Sequence, residues 1–216
     1  MAGDGSREPR FTFTLRDGSP VRVRPVRPDD KARLLAGLAG LSEASRYRRF
    51  MGGTPTLDAS QLRYLTEVDQ VNHLAWGAVD PRDPAEPGVG VARCVRLSGE
   101  PAVAEVAVAV VDAWQGRGLG TLLLGVLSRA AADAGIGTFR GYVLAENQPM
   151  MKLLRELGGV VHPEGGGLLR VDVPVERDPS RLPDTPAGRI FKAVARETLP
   201  AFRNPRPTGE HRRVPR

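Results

Sequence analysis

Cysteine is almost missing: Cys94 is the only one in 216 residues. A single thiol cannot build an intramolecular disulfide framework, so a reducing, cytoplasmic setting is expected. Three histidines accompany it, which leaves little material for a zinc site, and no metal is expected. Aromatic residues make up 5%, a poor supply for the stacking platforms that hold single-stranded nucleic acid. No apolar run approaches the ~20 residues that span a bilayer. The polar opening Met1 to Arg10 lacks the apolar core of a secretory signal. The class left is a soluble globular protein without membrane attachment.

Hydrophobic residues reach 41%, enough for a real core and too many for a disordered chain. The length allows one ordinary domain or two small ones. Lys plus Arg is 31 against 25 for Asp plus Glu, a net charge of +6. That excess fits a solvated basic surface, a phosphate-rich ligand, an acidic partner or nucleic acid, and charge alone does not choose.

Residues 1–10 read as a flexible lead-in. Phe11 to Leu15 and Val21 to Arg24 alternate with period two around the turn residues Asp17, Gly18 and Pro20, a hairpin pattern. Pro28-Asp29-Asp30 opens a helix with Leu34, Leu35, Leu38 and Leu41 as its apolar stripe. A second helix follows from Glu43 to Phe50. Gly52 to Pro55 breaks it, and Leu57, Leu62, Leu65 and Val68 mark a third. Strands are expected at His73 to Val79, Val89 to Leu97 and Ala102 to Val111, then a long apolar helix to about Ala134. A strand at Phe139 to Leu144, a helix at Asn147 to Leu157, and two closing strands complete residues 11–175. From 176 to 216 the chain is rich in Pro and Arg, with one helix at 187–199. This order predicts a mixed α/β domain: a mostly antiparallel sheet, one parallel strand–helix–strand crossover, and helices on both faces.

The motif that carries chemistry is Gln115-Gly116-Arg117-Gly118-Leu119-Gly120-Thr121, between a strand and the long helix. The first amides of a helix lack intrahelical partners, and the helix dipole adds positive charge there. Glycines let an anion approach the backbone, so a pyrophosphate fits such a loop. The bland reading is a glycine-rich connection with no ligand. A nucleotide P-loop needs Gly-Lys-Ser/Thr, and a dinucleotide fingerprint starting at Gly116 needs glycine where Thr121 stands; neither pattern is met.

Val110-Val-Asp-Ala-Trp-Gln-Gly-Arg-Gly-Leu-Gly120 resembles the acetyl-coenzyme A signature of the GNAT superfamily of N-acetyltransferases. Gln115, Gly118 and Gly120 fill its fixed places. Leu15 to Gly18, Arg24 to Asp30, Leu41 to Phe50 and Ala104 to Ala107 resemble the acetyltransferase module of bacterial protein-lysine acetyltransferases. The resemblance spans residues 11–175. It implies transfer of an acetyl group from acetyl-coenzyme A to a primary amine, with a protein carrying an exposed lysine as partner. It implies main-chain contacts from Val108 and Val110 to the pantetheine arm. Amides of Gln115, Gly116, Arg117, Gly118, Leu119, Gly120 and Thr121 then meet the pyrophosphate, and Asn147 contacts the coenzyme. Arg117 either pairs with a phosphate or is solvated. Asn147 is also a good helix N-cap type.

Glu105 is the only acidic residue within the apolar run Ala102 to Val111, and the resemblance makes it the general base. Apolar neighbours would lift its pKa into a useful range; the bland alternative is a strand glutamate paired with Arg93 or Arg96. The tyrosine that relatives often use to protonate the leaving thiolate is replaced by Leu154. His73 and the run Tyr47 to Phe50 are weaker acceptor-site candidates, and Cys94 reads as core filler. A small-molecule amine is the alternative acceptor. A non-catalytic regulatory or nucleic-acid-binding module is the competing class, motivated by Arg22, Arg24, Arg27, Arg212, Arg213 and Arg216.

Overall fold

The computed structural model describes residues 9–50 and 57–198. The lead-in over 1–8, the break at Gly52 to Pro55, and Arg212, Arg213 and Arg216 lie outside the described residues. Strands β1 (Phe11–Thr14) and β2 (Pro20–Pro25) form the expected hairpin, with Phe13 opposite Val21. Alternation turns Phe13, Val21 and Val23 into the core. The turn between them is held by Asp17, whose carboxylate accepts from the Ser19 amide at 3.1 Å, and Gly18 sits at φ +84°.

Helices α1 (Lys31–Ala39), α2 (Glu43–Phe50) and α3 (Ala59–Thr66) follow. The entry to α1 is anchored by a buried ion pair: Arg24 donates twice to Asp30, at 2.7 Å each. Leu34 and Leu38 of the expected stripe face the sheet, whereas Leu35 is exposed. Arg22 pairs with Glu86, so two of the three arginines in the Arg22/Arg24/Arg27 run are already neutralised within the fold.

The remaining elements are β3 (His73–Val79), β4 (Gly88–Leu97), β5 (Glu100–Val110), α4 (Leu119–Asp133), β6 (Thr138–Leu144), α5 (Gln148–Glu156), β7 (Val160–Gly165), β8 (Leu168–Pro174) and α6 (Pro186–Thr198). They complete one eight-stranded sheet of order β1-β2-β3-β4-β5-β6-β8-β7. Every pairing is antiparallel except β5 with β6. This is the mixed sheet expected from the element order. One face, with Gly77, Val91, Arg93 and Ala109, lies under Leu34, Leu38 and Leu65 of α1 and α3. The opposite face packs on α4, whose Leu119 and Leu123 lie against Gly90.

Helix α4 is apolar nearly all round, because it is sandwiched between the sheet and α6. Ala187, Phe191, Val194 and Ala195 form the buried face of α6, at helical spacing. Gly125 marks the crossing: a Cβ there would stand 3.3 Å from the Phe191 ring and 3.4 Å from Val194. Among the described residues no helix is long and apolar enough to cross a membrane.

Phe191→Ala should empty this crossing and lower unfolding stability by about 3–4 kcal/mol in urea titration. A loss below about 1 kcal/mol would show that α6 adds little to the core.

Candidate active site

Strands β5 and β6 pair only over Val103↔Thr138, Ala104↔Phe139 and Glu105↔Arg140. Beyond that point β5 stays with β4 as far as Val110, and β6 stays with β8 as far as Leu144. The two strands therefore part and leave a fork. A cleft of about 460 Å³ fills it, with Val106 to Val110 on one wall and Gly141 to Val143 on the other. Residues Gly116 and Gly118 to Thr121 line one end, Glu105 stands where the strands part, and Arg48 and Arg49 of α2 also line the cleft.

The loop has the geometry that its glycines permit. Gly116 and Gly118 adopt φ +74° and +92°, a region costly for other residues. Gly118 is the N-cap of α4, and Leu122 N donates to its carbonyl at 3.0 Å as the first helical bond. The amides of Gly116 to Thr121 make no hydrogen bond among the described residues. They are the orphan donors of a helix start, and the dipole of α4 reinforces them. Gln115 differs from the expectation: its amide donates to Asp112 O at 3.1 Å, so it is not free for a ligand. Its side chain instead ties the loop down, donating to Val110 O at 3.0 Å and Ser45 Oγ at 3.1 Å.

The Arg117 side chain follows neither reading given above. It pairs with Asp17 at 2.9 Å, lies 3.3 Å from Ser19 Oγ and covers the Trp114 ring at 5.1 Å, outside the cleft lining. The cation that does line this end is Arg16, whose side chain lies 3.5 Å from where a Cβ on Gly118 would sit. Sequence reasoning missed it, because a turn residue a hundred positions upstream carries no local signal.

Val108 and Val110 both line the cleft. So does Asn147, which also acts as the N-cap of α5, its Oδ1 accepting from Met150 N at 3.4 Å. Leu154 lines the wall and is buried, an aliphatic group with no proton to give. The cleft hydroxyls belong to Ser45, Thr121 and Tyr142.

Glu105 is solvent-exposed at the cleft mouth, so the apolar enclosure expected around it is not found. The expected alternative is not found either: it makes no salt bridge among the described residues. Arg96 is held by Asn72 and by Ala134 O at 2.8 Å. Arg93 is buried on the neighbouring strand, donating to Leu65 O at 3.2 Å, with His73 Nε2 also 3.2 Å away. Burial and this guanidinium hold the His73 pKa down at about 4, so the ring is neutral near pH 7. Cys94 is fully buried and its thiol is pushed up to about 12, which leaves it protonated and unreactive.

Residues 21–160 match the family described as acetyltransferase (GNAT) domain. The acetyltransferase Pat of Mycolicibacterium smegmatis is 37% identical over 162 residues, covering 74% of this chain and 47% of that protein. The acetyltransferase PA5475 of Pseudomonas aeruginosa is 31% identical, covering 68% and 78%. The crystal structure of the GNAT domain of S. lividans PAT superposes with a TM-score of 0.69 at 29% identity, covering 76% of this chain and 96% of that one. The chain thus spans about half the length of the mycobacterial relative.

His73 yields a stability prediction. Its folded pKa is depressed, so between about pH 6.5 and 4 the unfolded chain binds the extra proton. The melting temperature should fall as pH is lowered through that window, and fall less in His73→Gln. An identical pH slope in the variant would refute the assignment.

Proposed function

The chain belongs to the GNAT acetyltransferase family, and we propose that it transfers an acetyl group from acetyl-coenzyme A to the side-chain amine of a protein lysine. The observation that carries this reading is the row of unbonded amides at Gly116 to Thr121, facing a cleft between parted strands. A diphosphate meets those amides and the α4 dipole, with the Arg16 guanidinium beside it. The pantetheine arm lies along β5 from Val106 to Val110, on the edge that β6 leaves open. There its amides take the place of a missing strand, because β5 main-chain groups need partners. Asn147 lines the same channel.

A lysine ammonium has no free lone pair and an ordinary pKa of ~10.4, so a proton must leave before attack. Glu105 takes it, directly or through water. The amine nitrogen then attacks the thioester carbonyl carbon, the C–N bond forms, and the C–S bond breaks. The nitrogen sheds its second proton as the amide forms; coenzyme A leaves as thiolate and takes up one proton in return, relayed by water or a cleft hydroxyl, since Leu154 offers none. Exposure of Glu105 at the mouth supports an acceptor that extends one side chain inward from a protein surface. The Pat name of the mycobacterial relative supports the same class.

Isothermal titration should give saturable acetyl-coenzyme A binding. Gly118→Ala, which forces a side chain into positive φ, should weaken it about tenfold. Absence of binding at millimolar ligand would overturn the co-substrate. Glu105→Gln should leave that binding in place and lower kcat/KM for a lysine acceptor about 100-fold at pH 7. Wild-type turnover by Glu105→Gln across the pH range would remove Glu105 as base.

A further inference from the structure

The acceptor end of the cleft holds more positive charge than an amine-binding site needs. Helix α2 packs against β5 and brings Arg49 to the cleft wall with Glu105. Arg49 also borders the second cavity, about 130 Å³ between α1, α3 and the sheet, where Arg93 stands. Among the described residues it forms no hydrogen bond or salt bridge; its one ring contact is Phe50, at 5.1 Å. Glu105 is the carboxylate whose charge reaches it.

The other groups around Glu105 are already engaged or neutral. Arg140, its partner on β6, is bound by Asp172 at 2.9 Å and Glu100 at 2.8 Å. On β4, Arg96 is held by carbonyl oxygens, and Val95 stands opposite Glu105. On α2, Arg46 donates to Ala39 O at 3.2 Å, and Arg48 acts on Asp112. His73 on β3 is neutral near pH 7, and the Tyr64 ring of α3 lies tilted against it at 4.9 Å. That leaves Arg49, unpaired among the described residues in the cleft wall beside Glu105, with Arg93 behind it: the two share the second cavity, and Arg93, held by Leu65 O, keeps its positive charge there.

Glu105 is exposed at the cleft mouth, and Arg49 stands in the wall beside it. An amine that enters there meets both groups. We propose that Arg49, backed by Arg93, favours the neutral, nucleophilic form of the acceptor amine by charge repulsion against its ammonium. Glu105 alone would stabilise the ammonium; Arg49 in the cleft wall, with Arg93 behind it, opposes that, as a neighbouring cation does for other activated lysines. The proton so released passes to Glu105 and on to solvent, and no other bond changes.

This inference rests on the amine-acceptor reading above, and its test separates the two. The pH profile of kcat/KM for a lysine peptide is measured for the wild type, Arg49→Gln and Arg49→Lys. The limb reporting the amine should move up by about one pH unit in Arg49→Gln, with about a tenfold loss at pH 7, and stay in place in Arg49→Lys. A peptide carrying aminoethylcysteine, a weaker base than lysine, should recover most of the Arg49→Gln loss. A uniform loss at every pH, without that recovery, overturns the inference and leaves the acetyltransferase reading standing. A wild-type chain that binds acetyl-coenzyme A but acetylates no lysine peptide overturns both. Should Arg49→Gln fail to fold, a peptide labelled with ¹³C at the lysine Cε, titrated by NMR on the wild-type chain with coenzyme A, decides the matter. A bound amine pKa below its free value supports the inference, and an unchanged one overturns it.

Discussion

The parallel ladder between β5 and β6 stops at Glu105 and Arg140, and the working parts of the chain are arranged by that early stop. Had the ladder continued, the main-chain groups of Val106 to Val110 would be spent on a neighbouring strand. Because it stops, one edge of a long strand is left open inside a concave space. The start of α4 projects into the same space and adds its own unbonded amides. Both features are backbone properties, and through them a wall made mostly of valine and alanine still offers groups that a polar, extended ligand could bond. Side chains enter mainly at the ends, with Arg16 by the loop and Glu105 and Arg49 by the mouth.

Charge behaves differently in the structure than in the composition. The net excess of +6 suggests a broadly cationic molecule, yet many arginines serve as internal fasteners. Arg24 is locked to Asp30, Arg22 to Glu86, Arg117 to Asp17, and Arg140 to Asp172 and Glu100. A small remainder faces the cleft without a salt bridge among the described residues, Arg16 and Arg49 among them. A count of residues does not isolate that remainder, since it depends on which partners the fold has already assigned.

The element order and the glycine loop were legible because both rest on local signals. Alternation marked β1 and β2, and Gly116 and Gly118 stand where positive φ is required. The loss of a tyrosine at Leu154 was readable for the same reason, and the structure adds that the leucine is buried in the cleft wall. The surroundings of Glu105 were not legible. An apolar run looks enclosing on paper, but this strand borders the fork, and its glutamate reaches solvent. Arg16 was hidden because its place arises from a turn brought beside the cleft by tertiary packing, whereas Arg49 lies in the Tyr47 to Phe50 run that was already an acceptor-site candidate. The covering role of α6 was hidden by the Pro- and Arg-rich sequence around it, although its Phe191 and Val194 carry the apolar face.

The β1–β2 turn grips the glycine loop at several points. The Arg16 amide donates to Arg117 O at 3.3 Å, and the Arg117 guanidinium returns to Asp17 and Ser19. An edge hairpin, ordinarily the first part of a sheet to fray, is thereby coupled to the loop proposed to receive the diphosphate. Thermodynamic linkage makes the coupling mutual. Opening of the hairpin and occupancy of the loop would oppose each other, so the β1–β2 hairpin over residues 11–25 is tied to the proposed ligand site as closely as the motif that announces it.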